Sequence, residues 1–226
     1  MKRFLTPLFV LCAILVSCSS SATQEKQVRE LEESVAKCIK EQLLFPYTYR
    51  PIEYRVDTAF APLETPVIFD KLKEAASIYE KLNDAKKDLK RKEDLYKMNK
   101  PSYYNKNQTN GAEFKIEKAK NSYLDVLNQI QTIGQEIADL NLQNKKPSGF
   151  KIVQKYTAQT MGGDKDTCEM LLFVDSNKKI SASYLKEDIE RFNSMLEDKD
   201  ILFGKQGNEV QKALSTVLQR CFDNSF

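Results

Sequence analysis

Histidine and tryptophan are absent from this 226-residue chain, and glycine is scarce, with seven residues. Without histidine the chain cannot form a Ser-His-Asp triad, a Cys-His nucleophile pair, a His-ligated zinc site or a proximal-His haem site. None of the glycines stands in a GxGxxG or GxxxxGK[ST] array, so the glycine-rich phosphate loops are missing as well. These gaps exclude many catalytic and nucleotide-binding classes, and we expect no cofactor.

The N-terminus has the pattern of an export signal. Lys2 and Arg3 precede a stretch of thirteen residues, 4–16, whose apolar character is interrupted only by Thr6 and Pro7. Thirteen residues make about 20 Å of helix, which is too short to cross a hydrocarbon core of ~30 Å. We therefore predict that residues 1–17 are a secretory signal peptide and not a membrane span.

The residues that end this stretch, Leu15-Val16-Ser17-Cys18, resemble the lipobox of bacterial lipoproteins. In that family signal peptidase II cleaves before the cysteine, whose thiol carries diacylglycerol and whose new amine is acylated, so that fatty acids such as palmitate become part of the protein. The resemblance implies lipidation of Cys18 and a lipidated tether over 18–25, and two or more acyl chains make anchoring stable. The alternative is an ordinary signal peptide with a cysteine at the cleavage point by chance.

Ser19, with no Asp after Cys18, is similar to the sorting position of lipoproteins of the outer membrane. The resemblance implies a lipid-anchored protein of the cell envelope, at the outer membrane, on its periplasmic face or on the cell surface. Removing 1–17 takes away two basic residues, which leaves 33 Lys and Arg against 32 Asp and Glu. A near-neutral domain lacks the basic surface of a nucleic-acid-binding protein, so we expect no nucleic acid partner.

Three cysteines remain after the signal and the lipidated residue are set aside: Cys38, Cys168 and Cys221. Cys38–Cys221 is the candidate disulfide if the first and last helices touch. The alternative, which we favour, is three buried thiols that act as small apolar side chains. Sequence spacing does not fix the short Cα separation that a disulfide needs.

Apolar periodicity predicts a helix over 25–44, which Pro46 ends, and then a half-buried strand near 50–60. Strands are predicted again over 149–160 and 168–174, with a short third strand beginning at Ile180. Two helices complete the chain, the first capped by Ser183 and the second by Asn208.

The middle of the chain has a longer helical pattern. Two apolar seams with spacings of three and four residues predict helices over 67–99 and 112–143, and Lys97–Asn110 is polar and contains Pro101. The first seam consists of Ile68, Leu72, Ala75, Tyr79, Leu82, Leu89 and Tyr96, with Lys86 and Glu93 interrupting it. The second consists of Ile116, Ala119, Tyr123, Val126, Ile130, Ile133, Ile137 and Leu140. We predict an inserted antiparallel coiled-coil hairpin over 67–143.

This order of elements predicts an α+β fold, in which a small antiparallel sheet packs against the N- and C-terminal helices. The core domain would comprise 26–66 and 144–226. The strand motif Tyr49-Arg50-Pro51-Ile52-Glu53-Tyr54 and the late β-meander resemble uncharacterised envelope lipoproteins of Gram-negative anaerobes, over 26–60 and 148–182. That resemblance implies no particular activity.

Asp57-Thr58-Ala59 is similar to the O-glycosylation motif of exported proteins in some Gram-negative gut bacteria, which makes Thr58 a candidate glycosylation site. Glycosylation would require an exposed Thr58. No other residue pattern nominates a catalytic or metal-binding site.

The leading functional hypothesis is a non-enzymatic envelope protein whose hairpin presents a surface to another envelope protein or to a second copy. The first alternative is a pocket between sheet and helices that binds a small ligand or a glycan, with the strand tyrosines as its lining. The second is a hydrolase that uses a pair of carboxylates, which would lie about 5–9.5 Å apart across a cleft.

Overall fold

The computed structural model describes residues 21–98, 106–140, 145–198, 201–204 and 208–222. In chain order the elements are α1 (Ser21–Gln42), a 3₁₀ turn (Pro46–Thr48), β1 (Arg50–Ala61), α2 (Pro66–Met98), α3 (Lys106–Ala138), β2 (Lys146–Gln159), β3 (Lys165–Val174), β4 (Ile180–Leu185), α4 (Lys186–Glu197) and α5 (Asn208–Phe222). This is the α+β class that the sequence predicts.

The four strands form one antiparallel sheet in the order β1-β2-β3-β4. β1 pairs with β2 over nearly its whole length, although the entire hairpin separates them in sequence. Side chains alternate between the two faces, as successive residues of a strand do. The predicted strand near 50–60 and the later meander are therefore confirmed.

The apolar face of the sheet packs against α1. Val35 and Ile39 of α1 are fully buried there against Ile152 and Tyr156 of β2 and Leu172 of β3. The spacing of four residues between Val35 and Ile39 puts both side chains on one face of the helix. The amphipathic pattern that predicts the first helix thus also identifies its buried face.

The chain divides into two compact units. The first contains α1 and the four strands, and the second contains residues 67–142 together with 190–219. The sequence prediction placed all of 144–226 in the core domain, whereas most of α4 and α5 belong to the hairpin unit. Phe192 of α4 gives one physical reason, because its ring packs edge-to-face on Phe69 of α2 with centroids 6.3 Å apart.

Several element boundaries correct the sequence prediction. α3 begins at Lys106 and ends at Ala138, whereas the sequence predicts a helix over 112–143. α1 begins at Ser21 and not at Glu25, so the predicted tether over 18–25 is helical from Ser21 onward. No glycine or proline stands between Ser21 and Glu25 to prevent this. Ser183, predicted as a helix cap, lies in β4. The helix begins after Leu185, whose N–H donates to the Asp188 carboxylate at 3.1 Å, which is half of a capping box.

Candidate interaction surface

The helical hairpin pairs α2 with α3 in antiparallel register. The Lys71 ammonium contacts the Glu136 carboxylate, and farther out the Tyr96 hydroxyl donates to Oε1 of Glu113 at 2.9 Å. The two residue numbers of these pairs add up to 207 and 209. A residue of α2 therefore lies opposite the residue of α3 whose number brings the sum to about 208. The antiparallel hairpin that the sequence predicts is present.

The base of the hairpin, residues 66–82 and 128–138, is well packed. Its buried apolar residues are Ile68, Phe69, Leu72, Ala75, Ala76 and Leu82 in α2 and Ile130, Ile133 and Ile137 in α3. α4 covers part of this base, since Phe192 packs on Phe69 and the Tyr79 hydroxyl donates to Oδ2 of Asp198 at 3.3 Å. These contacts make the base the core of the second unit.

Gly134 lets the backbone of Leu202 approach α3 closely. A Cβ at position 134 would lie 1.8 Å from the carbonyl oxygen of Leu202, well inside van der Waals contact. Only glycine leaves that space free. An isolated glycine within a strong helical pattern is the signal that could have predicted this close approach from the sequence.

The outer arm of the hairpin, residues 83–98 and 106–127, is packed much less. None of the α2 residues beyond Leu82 is buried, although Ala85, Leu89 and Tyr96 are half-buried at seam spacing. Sixteen helical residues extend about 24 Å. The arm also exposes large apolar side chains, which are Leu95 (51%), Met98 (82%), Phe114 (66%) and Leu124 (40%).

Charges on the outer arm are numerous and partly paired. Residues 83–98 and 106–127 hold ten Lys and Arg against seven Asp and Glu. Asp88 contacts Arg91 at 3.0 Å and Lys92 at 2.6 Å, and the hydrogen bond from Lys92 is the main cause that lowers the pKa of the Asp88 carboxyl. Exposed pairs at this spacing contribute little to stability. The arm thus has a basic, solvated surface.

The second face of the sheet carries ion pairs. Lys151 contacts Glu64 at 2.6 Å, with only 12% and 13% of their side chains exposed. Glu169 lies between Lys155 at 3.4 Å and Lys186 at 3.2 Å. These cross-strand and linker pairs place opposite charges side by side, which stabilises neighbouring strands.

Arg55 on this face holds the end of the last helix. Its guanidinium donates to the carbonyl of Cys221 at 2.6 Å and contacts Asp57 at 3.3 Å. A cation is favourable at a helix C-terminus because the last carbonyls have no partner within the helix. Burial raises the pKa of the neighbouring Cys221 thiol to about 12, which keeps it a thiol at neutral pH. Sequence reasoning missed Arg55, because its partner lies 166 residues away.

A small hollow opens beside these pairs. It has a volume of about 20 Å³ and is lined by Glu53, Arg55, Val153, Lys155, Glu169 and Phe222. That volume holds about one water molecule, too little for a sugar or a metabolite. Glu169, one of its two carboxylates, is already engaged by two lysines. The hollow does not supply the open carboxylate cleft that the hydrolase hypothesis requires.

The strand tyrosines serve the core of the first unit. Tyr49 and Tyr156 are 6% and 2% exposed, with ring centroids 5.4 Å apart. Burial raises the pKa of the Tyr54 and Tyr156 hydroxyls. These rings pack beneath α1, so they are not placed to stack on a ligand; Tyr103 and Tyr104 lie outside the described residues.

Cys38, Cys168 and Cys221 are all free thiols, so the candidate Cys38–Cys221 disulfide is not formed. Cys38 and Cys168 pack against the core on the α1 face of the sheet. The Cys221 thiol instead lies near Lys151, Glu64 and Arg55, on the other face. The sheet therefore separates the two predicted partners.

Thr58, the candidate glycosylation site, lies in the edge strand β1 and is half-buried. Its side chain shares a face with Tyr54 and Val56, which pack toward α1. Glycosylation at Thr58 stays a prediction.

Cys18, the candidate lipidation site, lies outside the described residues. Within the described part of the chain, no helix combines the length and the apolar character needed to cross a membrane. No group of three or more Cys, Asp or Glu side chains among the described residues is arranged to hold a metal ion.

Comparison with protein-family models, with curated proteins and with solved structures finds no match to this chain.

Proposed function

We propose that this chain is a non-enzymatic, lipid-anchored protein of the bacterial cell envelope, and that the outer arm of its hairpin binds a partner protein. The membrane assignment rests on the lipobox at Leu15–Cys18, which implies an acylated Cys18. Acyl chains would hold the protein at the outer membrane, on the periplasmic face or the cell surface.

The contrast in burial along α2 is the observation that carries the partner-binding role. Residues 68–82 include six buried side chains, whereas 83–98 include none. The described helices of the outer arm are nevertheless paired, and they expose apolar residues near the end of α2 and in α3. A solvated two-helix extension adds little to a folded core, while it offers a surface for helix packing.

The binding role is tested by shortening the hairpin in register. Deleting residues 86–122 and joining Ala85 to Tyr123 through a short Gly-Asn loop removes most of the arm and leaves the base intact. We expect the shortened protein to fold and to lose the proteins that co-purify with the full chain from crosslinked membranes. Retention of all those proteins would refute the binding role.

The anchor is tested separately. Cys18→Ala should abolish labelling with radioactive palmitate and release the protein from membranes, whereas Cys38→Ala should change neither. Membrane association of the Cys18→Ala protein without any palmitate labelling of the wild type would contradict the anchor.

A further inference from the structure

One side of the outer arm has a distinct composition. Because α2 and α3 are antiparallel right-handed helices, the residue that follows each seam residue faces the same side of the hairpin on both helices. In the middle of the arm these positions hold four residues, Lys86, Lys90, Lys120 and Leu124, and the next such position outward on α3 holds the exposed Glu117. We call this set the lysine-leucine side.

The four residues are close along the arm. Residues of α2 and α3 that lie opposite each other have numbers that add up to about 208. Lys86 therefore lies opposite residue 122 and Lys90 opposite residue 118, so the set spans about two helical turns. Leu124 is 40% exposed, and the three lysines are exposed. Among the described residues none of these lysines forms an ion pair, in contrast to Lys87, Arg91 and Lys92 on other sides of α2.

The same side is occupied at the base of the hairpin. Gly134 follows the seam residue Ile133, and the backbone carbonyl of Leu202 lies close against it. Phe69 follows the seam residue Ile68 and packs on Phe192 of α4. The lysine-leucine side is therefore the uncovered continuation of a surface on which this chain already places a helix.

The charges indicate what kind of helix would continue along it. At the base, this side of α2 carries Glu80, which pairs with Arg191 of α4 at 3.9 Å, so the covering helix presents the opposite charge there. Farther out the side is basic, so a helix that covered it would have to carry carboxylates. Three unpaired lysines around an exposed leucine complement an apolar stripe flanked by carboxylates. A second copy of the same side would bring like charges together.

We propose that the lysine-leucine side binds an acidic amphipathic helix of a partner protein. The apolar stripe of that helix would cover Leu124, and its Asp or Glu side chains would pair with Lys86, Lys90 and Lys120. This inference rests on the proposed binding role of the outer arm and names the chemistry of the partner.

The test uses the purified full chain in detergent and a fluorescein-labelled four-heptad peptide with Leu at positions a and d and Glu at e and g. A twin peptide with Lys at e and g is the control ligand. We expect the Glu peptide to bind and the Lys peptide not to bind. The triple substitution K86E/K90E/K120E should weaken binding of the Glu peptide by about tenfold or more, as should Leu124→Asp.

The matched control variant is K81E/K115E/K118E, whose lysines precede seam residues and face the opposite side of the hairpin. It should bind the Glu peptide as the wild type does. Equal weakening by the control variant, equal binding of the two peptides, or no binding of the Glu peptide at about 1 mM would each overturn the inference. Loss of co-purifying proteins from the shortened hairpin would still support the binding role, so the two failures are distinguishable.

Discussion

The base and the outer arm of the hairpin belong to the same two helices, yet they differ in what surrounds them. At the base, α4 and the residues around Leu202 cover α2 and α3, and side chains such as Phe69 and Ile130 are fully buried. In the arm the two helices pack mainly against each other, and apolar residues such as Phe114 are exposed. A heptad pattern alone therefore does not separate a stretch that stabilises the fold from one that offers a surface.

The largest difference is expected between two phenylalanines. Phe192→Ala at the base should lower the free energy of unfolding by about 3–5 kcal/mol, because the ring is 1% exposed and packs on Phe69. Phe114→Ala in the arm should change it by less than about 0.5 kcal/mol, because that ring is 66% exposed. Urea denaturation followed by circular dichroism measures both. Similar losses for the two variants would break the comparison.

Substitution of two glycines of α3 by alanine should change the stability of the protein in opposite directions at the base and in the arm. Gly134→Ala should destabilise the protein by about 3 kcal/mol, because the new Cβ meets the backbone of Leu202. Gly111→Ala, where a Cβ meets nothing within 4 Å, should stabilise it by up to about 1 kcal/mol through helix propensity. Thermal denaturation midpoints of the two variants give the test, and a stabilising Gly134→Ala would contradict the close approach.

Shortening the hairpin by residues 86–122 should have a smaller effect on stability. No fully buried residue of α2 is removed, and Ala119 is the only residue of α3 in that range that is described as buried. We expect the denaturation midpoint to stay within a few degrees of the wild type, since a change of about 1 kcal/mol shifts it by roughly 2–4 °C in a chain of this size. Loss of a cooperative transition would show that the arm is part of the core.

The smallest effect is expected from the exposed ion pairs of the arm. The lowered pKa of Asp88 means that its pairing favours the folded state above the ordinary pKa of an aspartate, and that this contribution is lost as the pH falls through the lowered pKa. NMR titration should therefore show that the pKa of Asp88 lies below the ordinary range of an aspartate. Asp88→Asn should leave the denaturation midpoint at neutral pH almost unchanged. A large shift would show that the arm depends on its charges.

The sequence predicts well the parts of the fold that depend on local periodicity. The seam of α3 and the alternation in β1 lead directly to a hairpin and a half-buried strand that the structure confirms. The sequence predicts that Lys86 interrupts the seam of α2, and in the structure Lys86 is exposed while the half-buried Ala85 continues the seam between Leu82 and Leu89. Spacings of three and of four residues are both compatible with a helix, so packing decides between them.

Contacts between distant parts of the chain are what the sequence did not predict. The pairing of Arg55 with the end of α5 and the packing of Phe192 on Phe69 depend on how the units fold, because no local pattern connects these residues. The candidate Cys38–Cys221 disulfide was wrong for the same reason, since the sheet lies between the two thiols. Ser183 was assigned to a helix cap because serine favours that position, but pairing with β3 extends the strand through it.

Photo-crosslinking along α3 in living cells is the most direct measurement of the central claim. A benzophenone amino acid would replace Phe114 or Leu124 in the outer arm, and Thr132 or Gln135, which are exposed at the base. Binding through the outer arm predicts protein adducts from position 114 or 124 and none from the two base positions. Adducts of equal yield from the base, or none from the arm, would contradict it.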